Sequence, residues 1–382
     1  MNKMTAFYQN LIGLTEKIER RWLQENYNSD VFSDVVWELT NDTDLALLGD
    51  LRNQLELLEY GPVRAVQALN TFSDFYFQIY NNGRFYIEVL NWWGGQVNAH
   101  DHDFSGVQFQ LKGDALNVIH DFNCRQQIGA VRFGKLSARR AEYWKEGGRT
   151  KVFHGDIELH SVFHLGRPTT SLLIRTVPTN RYGAQSNYFK NLAAHYYVNT
   201  LQQRKKLTAL RLLSKGDESG FRERIRHCFS EQSLSENLFM LVKLGTAFFD
   251  PRYAPLMTEY ARTCPEAEQV VLAALVNTAE DHLRDIAHDC LAATLQERMA
   301  IHALIASADS TDLRRVVTDV PIGAPLPLID TFRSKLDEVR KRRFDIALKV
   351  LGGRLQGLTA SAADTPRAPL PSDLVRIVAP VS

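Results

Sequence analysis

The apolar positions of this chain change their spacing twice. In residues 1–70 they recur at helical intervals (Phe7, Leu11, Leu14 and Ile18, then Leu45, Leu48, Leu51, Leu55 and Leu58) until Gly61-Pro62 interrupts them. This spacing predicts a helical N-terminal segment. Over residues 71–180 the runs shorten, alternate with polar residues and are punctuated by glycine. Residues 75–80 and 85–90 flank Asn82-Gly83, a pair that supplies the positive φ a tight primed turn requires, so a hairpin is expected there. Val107, Phe109 and Leu111 alternate with Gln108, Gln110 and Lys112. Further strands are expected at 116–119, 130–133, 136–144, 151–153, 159–163 and 171–177. Short strands at this spacing imply a closed or sandwiched β architecture.

From about residue 187 the alternation stops and long amphipathic stretches follow, at 188–213, 220–229, 235–249, 252–262, 265–277, 280–306 and 328–351. Pro265 suits a first helical turn, and Ser235 with Asn237 suits an N-cap. Stacked helices over 187–355 are therefore expected, with a short α-solenoid as one arrangement. Residues 356–382, rich in Ala, Ser and Pro, read as a flexible tail. The chain is thus expected to be a multidomain α+β protein: N-terminal helices, a β-barrel and a large all-α C-terminal domain.

Composition narrows the partners. At 382 residues with 45% hydrophobic content, more than one core is expected. A net charge of +1 speaks against nucleic acid or a membrane surface as the main partner. The basic runs at 204–206 and 340–343 lack interleaved aromatics and have acids nearby, which makes them solvated helix faces. The four cysteines are not closely spaced, no apolar run is long enough to span a bilayer, and the N-terminus shows no signal pattern; a cytoplasmic protein is expected.

The candidate chemistry lies in the β region. His100 and His102 stand at i and i+2, so on a strand both rings point the same way and both can grip one metal ion. His160 follows Gly155-Asp156 and precedes an apolar run. Three neutral imidazoles on one side of a metal leave its other side open for chemistry. Asp101 and Asp103 alternate to the opposite face and are not expected to be ligands. His164 lies four residues past His160 and is a candidate substrate base, with a strand-end histidine as the plainer reading. Tyr86, Trp93 and Gln108 are candidates to line the pocket.

Glycine and histidine spacing also carries a resemblance. Gly94, His100-x-His102, Gly106 and Gly113 resemble the first cupin motif, and Gly155 to His160 resembles the second. Within cupins, the order Asn82-Gly83-Arg84-Phe85, Trp93-Gly94, His100-Asp101-His102, Gly155-Asp156-Ile157, His160-Ser161-Val162 and Pro168 to Leu172 is similar to the thiol dioxygenases. These are cysteine dioxygenase and the mercaptopropionate dioxygenases. The similarity spans residues 70–178. It implies a double-stranded β-helix barrel holding Fe(II) on His100, His102 and His160, with O₂ and a small thiol, organic acid or amino-acid-like molecule as substrates. Gly106 takes the place of the usual metal-binding glutamate and is expected to leave room for substrate. Where the family has Ser-x-His-x-Tyr, this chain has Ser171, Leu173 and Arg175. Ser171 is a catalytic candidate, and Arg175 is a candidate to clamp a substrate carboxylate, with a solvated strand-end arginine as the plainer reading. Two alternatives stand beside the oxygenase: another cupin metalloenzyme (isomerase, lyase or oxidative decarboxylase), and a metal- or ligand-sensing scaffold whose helical domain binds a partner protein.

Overall fold

The computed structural model describes residues 3–68, 73–94, 98–178, 185–195, 200–248, 250, 252–352 and 355. Eleven strands are present among them: β1 (Phe75–Asn81), β2 (Phe85–Trp92), β3 (Ala99–His102), β4 (Gly106–Lys112), β5 (Ala115–Ile128), β6 (Val131–Trp144), β7 (Arg149–Val152), β8 (Gly155–His164), β9 (Thr169–Thr176), β10 (Ser186–Tyr188) and β11 (Leu192–His195). Five of them form one sheet in the order β1-β2-β9-β4-β7, and the other six form a closed barrel. The expected tail over 356–382 lies outside the described residues.

The chain divides into two compact units, Met1–Asn117 with Glu142–Gln185, and Val118–Ala141 with Ser186–Ser382. These units do not follow the linear segments of the sequence. In the first, the N-terminal helices Lys3–Gln24 and Phe32–Leu39 share one core with the five-stranded sheet: Leu11, Ile18, Trp22 and Phe32 join Phe77, Phe85, Ile87, Val89, Val107, Leu172 and Ile174. Alternation decides which residues go there. Along β9, Leu172 and Ile174 turn to the helices, whereas Leu173 turns the other way into a second cluster with Leu90, Trp92, Phe104, Val152 and Val162. Every residue of β2 is buried because both faces of its sheet are covered.

The β1–β2 hairpin is present, with a longer loop than a two-residue primed turn. Asn82 N–H donates to the Phe85 carbonyl, and the Asn82 side chain accepts from Arg84 N and Phe85 N, both at 3.0 Å. Only Gly83, at φ +79°, takes the left-handed conformation.

In the second unit, helix Pro265–Asp289 is central. Pro265 opens it behind Cys264, whose sulfur accepts from Ala267 N, and helices Leu234–Lys243, Ala254–Ala261, Leu295–Ala306 and Glu338–Leu351 pack on it. A helix that meets partners this far apart in the chain does not belong to a solenoid, in which each repeat touches only its neighbours. Several expected boundaries move. The helix expected from 188 is replaced by β10 and β11, because β11 finds backbone partners on β6, pairing Leu192 with Phe133 and Ala194 with Val131. The following helix begins at Leu201. The N-cap expected at Ser235 is Ser233, which forms a capping box with Glu236; a second box joins Thr294 and Glu297. Among the described residues, no helix is long and apolar enough to cross a membrane.

Candidate metal centre

β3 and β8 run antiparallel, and their register sets His100 directly opposite His160. A register shift follows, so that His102 faces Gly155. Side chains at i and i+2 on β3 share a face, and the cross-strand partner on β8 joins them there. The three rings form a nearly equilateral triangle, with centroid separations of 4.8 Å (His100–His102), 4.9 Å (His100–His160) and 4.8 Å (His102–His160). One candidate ligand nitrogen from each lies within 4.8 Å of the other two. Among the described residues this is the one cluster of three metal-ligating side chains in mutual reach, and all three are buried. Neither Asp101 nor Asp103 belongs to it.

Burial makes these rings good donors. It holds the His100 imidazole below its ordinary range, partly opposed by the Asn98 carbonyl. His102 is held well below that range, first by burial and then by the neighbouring His160, His100 and Arg175 charges. Neutral imidazole is the form that offers a lone pair to a metal. The nitrogen His102 Nδ1 is buried and has no hydrogen-bond partner among the described residues. An orphaned polar atom inside a protein calls for an explanation, and a cation held by the three rings supplies one.

The triad opens on a cavity of about 40 Å³. Its wall is apolar, built from Leu90, Trp92, Phe104, Val152, Val162 and Leu173, and its other polar lining groups are Gln108, His164 and Gln185. Its lining, apolar with a few polar anchors, has the composition of small-molecule sites, at far smaller volume. His164 stacks on Trp92, with ring centroids 4.5 Å apart and an interplanar angle of 14°.

Several residues expected at the site lie elsewhere or do other work. Trp93 is 50% exposed and does not line the cavity; its neighbour Trp92, 3% exposed, does. Consecutive strand residues face opposite sides, so a choice off by one position selects the wrong ring. Ser171 is fully buried beneath the wall, its oxygen 3.4 Å from Trp92 Nε1. Arg175 donates from Nε and Nη2 to Glu88, at 2.6 and 3.5 Å, and its guanidinium lies between the rings of Phe104 (4.1 Å) and Tyr86 (4.2 Å). The expected substrate clamp is thus already bound to a carboxylate of the protein, which also accepts from the Tyr76 hydroxyl at 2.8 Å. Burial pushes the Tyr86 phenol up to about 12, and it does not line the cavity. Gly106 does not leave space for substrate. A Cβ there would meet the Ile174 carbonyl oxygen at 2.3 Å and Arg175 Cβ at 2.8 Å, so glycine is required by the close approach of β4 to β9.

The sequence reading missed Glu88, Asn117 and Glu142. A lone acid within the apolar run of β2 was a signal for Glu88, since a carboxylate in a strand covered on both faces needs a partner. Asn117, whose oxygen faces His160 Nδ1 at 3.0 Å, carries no local signal.

No family model and no curated protein matches the chain. Among solved structures, the DMSP lyase DddQ from Ruegeria pomeroyi DSS-3 aligns with 32% of this chain and 60% of its own at 14% identity, with a TM-score of 0.21. Likeness at that level assigns no activity; the triad and its cavity carry the functional reading.

Proposed function

We propose that this protein is a metal-dependent enzyme with a cupin-type barrel, whose mononuclear Fe(II) centre is held by His100, His102 and His160. In this reading it is an O₂-dependent oxygenase of the thiol dioxygenase kind. The observation that carries the reading is the triangle of three buried imidazoles opening on an apolar cavity. Three neutral nitrogens leave the charge of a divalent ion uncompensated, which favours an anionic substrate atom such as a thiolate or carboxylate. When bound, iron would supply open coordination positions at which substrate and O₂ meet. The chain's own residues shape what can enter. The cavity of about 40 Å³ has the room of about one water molecule, so a substrate would have to displace part of its wall of Leu173, Phe104 and Trp92. In this reading Gln108 and Gln185 orient the substrate by hydrogen bonds, and His164, which lines the cavity and stacks on Trp92, takes up or returns a proton.

The test uses the full chain purified without oxygen, assayed for metal content and then for oxygen uptake with a panel of small thiols and amino acids. Stoichiometric iron together with thiol-dependent oxygen uptake is the expected result. Turnover that continues unchanged without oxygen would replace the oxygenase with an isomerase or lyase on the same barrel. A protein that binds no divalent metal would end the metalloenzyme reading.

A further inference from the structure

The three imidazoles are held in three different ways. The His100 ring is tied at Nδ1 to the Asn98 carbonyl, 2.8 Å away. His102 Nδ1 has no partner among the described residues. His160 Nδ1 faces Asn117 Oδ1 at 3.0 Å, and the Asn117 amide is itself anchored: its Nδ2 donates to Glu142 Oε2 at 3.2 Å. The Trp144 indole N–H, which can only donate, reaches the same carboxylate oxygen at 3.0 Å. An ionised carboxylate only accepts, so the amide nitrogen must face Glu142 and the amide oxygen must face His160. An oxygen at that position demands a proton on Nδ1. The lone pair of His160 is then left on Nε2.

We infer that Asn117 and Glu142 are positioning residues that select the Nδ1–H tautomer of His160 and raise its strength as a donor. The consequence for metal binding rests on the proposed metal centre; the tautomer itself is a property of the metal-free chain. The device is unlike the one at His100, where a backbone carbonyl close in sequence performs the same task. Here the negative charge of Glu142 is relayed through a neutral amide, so its removal weakens the donor without touching a ligand.

Two measurements on the full chain test this. Histidine ring ¹⁵N shifts of the metal-free protein report the tautomer, and competition between the protein and a chelator for cobalt(II) reports affinity. Wild type should show His160 protonated at Nδ1. In Glu142→Gln the new side-chain NH₂ can face Asn117, which frees the Asn117 amide to turn over. His160 should then become a mixture of tautomers, and cobalt affinity should fall by about 10- to 100-fold. Trp144→Phe, which leaves Glu142 in place but releases it, should move both readouts in the same direction by less, and it serves if Glu142→Gln does not fold. A wild-type His160 protonated at Nε2, or variants that leave tautomer and affinity unchanged, would overturn the inference. If wild type binds no cobalt, the metal-centre reading fails while the ring shifts still decide the relay.

Discussion

His100 and His160 are cross-strand partners on adjacent antiparallel strands, with ring centroids 4.9 Å apart. Because the pairing of β3 with β8 creates the site, removing either ring removes a donor from a fixed frame. His100→Ala and His160→Ala should each lose stoichiometric metal while keeping the circular dichroism of wild type. His102 should behave differently in metal-free protein. Its Nδ1 is buried without a partner among the described residues, a condition that costs about 1–3 kcal/mol. His102→Leu should therefore unfold at least as late in denaturant as metal-free wild type, and should gain nothing from added metal. A metal-free His102→Leu protein much less stable than wild type would assign that ring a structural role.

The tryptophan pair separates wall from surface. Trp92→Ala removes a buried ring that packs on His164 and should cost about 3–5 kcal/mol. Trp93→Ala trims a half-exposed ring, and its effect should stay within about 0.5 kcal/mol. Urea melts of the two variants give the comparison directly.

Gly106→Ala tests the closeness of β4 and β9. The added methyl would stand 2.3 Å from the Ile174 carbonyl oxygen, so the strands must part. A loss of about 1–3 kcal/mol is expected from such overpacking. The displacement should reach Arg175, whose Cα a Gly106 Cβ would approach to 2.9 Å. Stability near that of wild type would mean that β9 yields more easily than its central position in the sheet suggests.

In the helical unit, Glu297 and Lys335 set an acid limit. Burial pushes the Glu297 carboxyl up, but hydrogen bonds from Lys335 Nζ (2.7 and 2.8 Å) and the Thr294 backbone outweigh it and hold the group below the usual carboxylate range. With its folded value depressed, the pair contributes stability above the unfolded value of 4.5, and that contribution is lost as pH falls through the lower folded value. Lys335→Met should cost about 1–3 kcal/mol at pH 7, by leaving a buried carboxylate short of partners. The difference from wild type should shrink as the pH is taken below 4.5, read by helical circular dichroism in an acid titration.

Much of this was legible in the residues because it depends on periods. Two-residue alternation marks β1, β2, β4, β7, β8 and β9, only the first part of β5, and β6 as two pieces where it is one strand, Val131–Trp144; helical spacing marks the N-terminal helices and most of the C-terminal ones. The pair His100 and His102 could be read from a strand's geometry alone. Trp93 is the expected pocket residue and Trp92 the observed one because a shift of one residue reverses a strand's faces, and no local feature fixes the parity of a strand end beside a turn. The helical stretch expected from 188 covers β11 because its strand form comes from pairing with β10 and β6, which leaves no local period.

The chain order by itself determined that a β region rich in glycine turns lies between helical segments, and that three histidines within it are suited to hold a metal. Register is a long-range property, so only the tertiary structure could set His100 against His160 and bring Asn117 and Glu142 in behind it. The folded sheet likewise decided that Arg175 answers Glu88 and that Gly106 is needed by a neighbouring strand. Hydrogen bonds and close packing between distant segments leave no period in a sequence, and these contacts give the candidate site its shape.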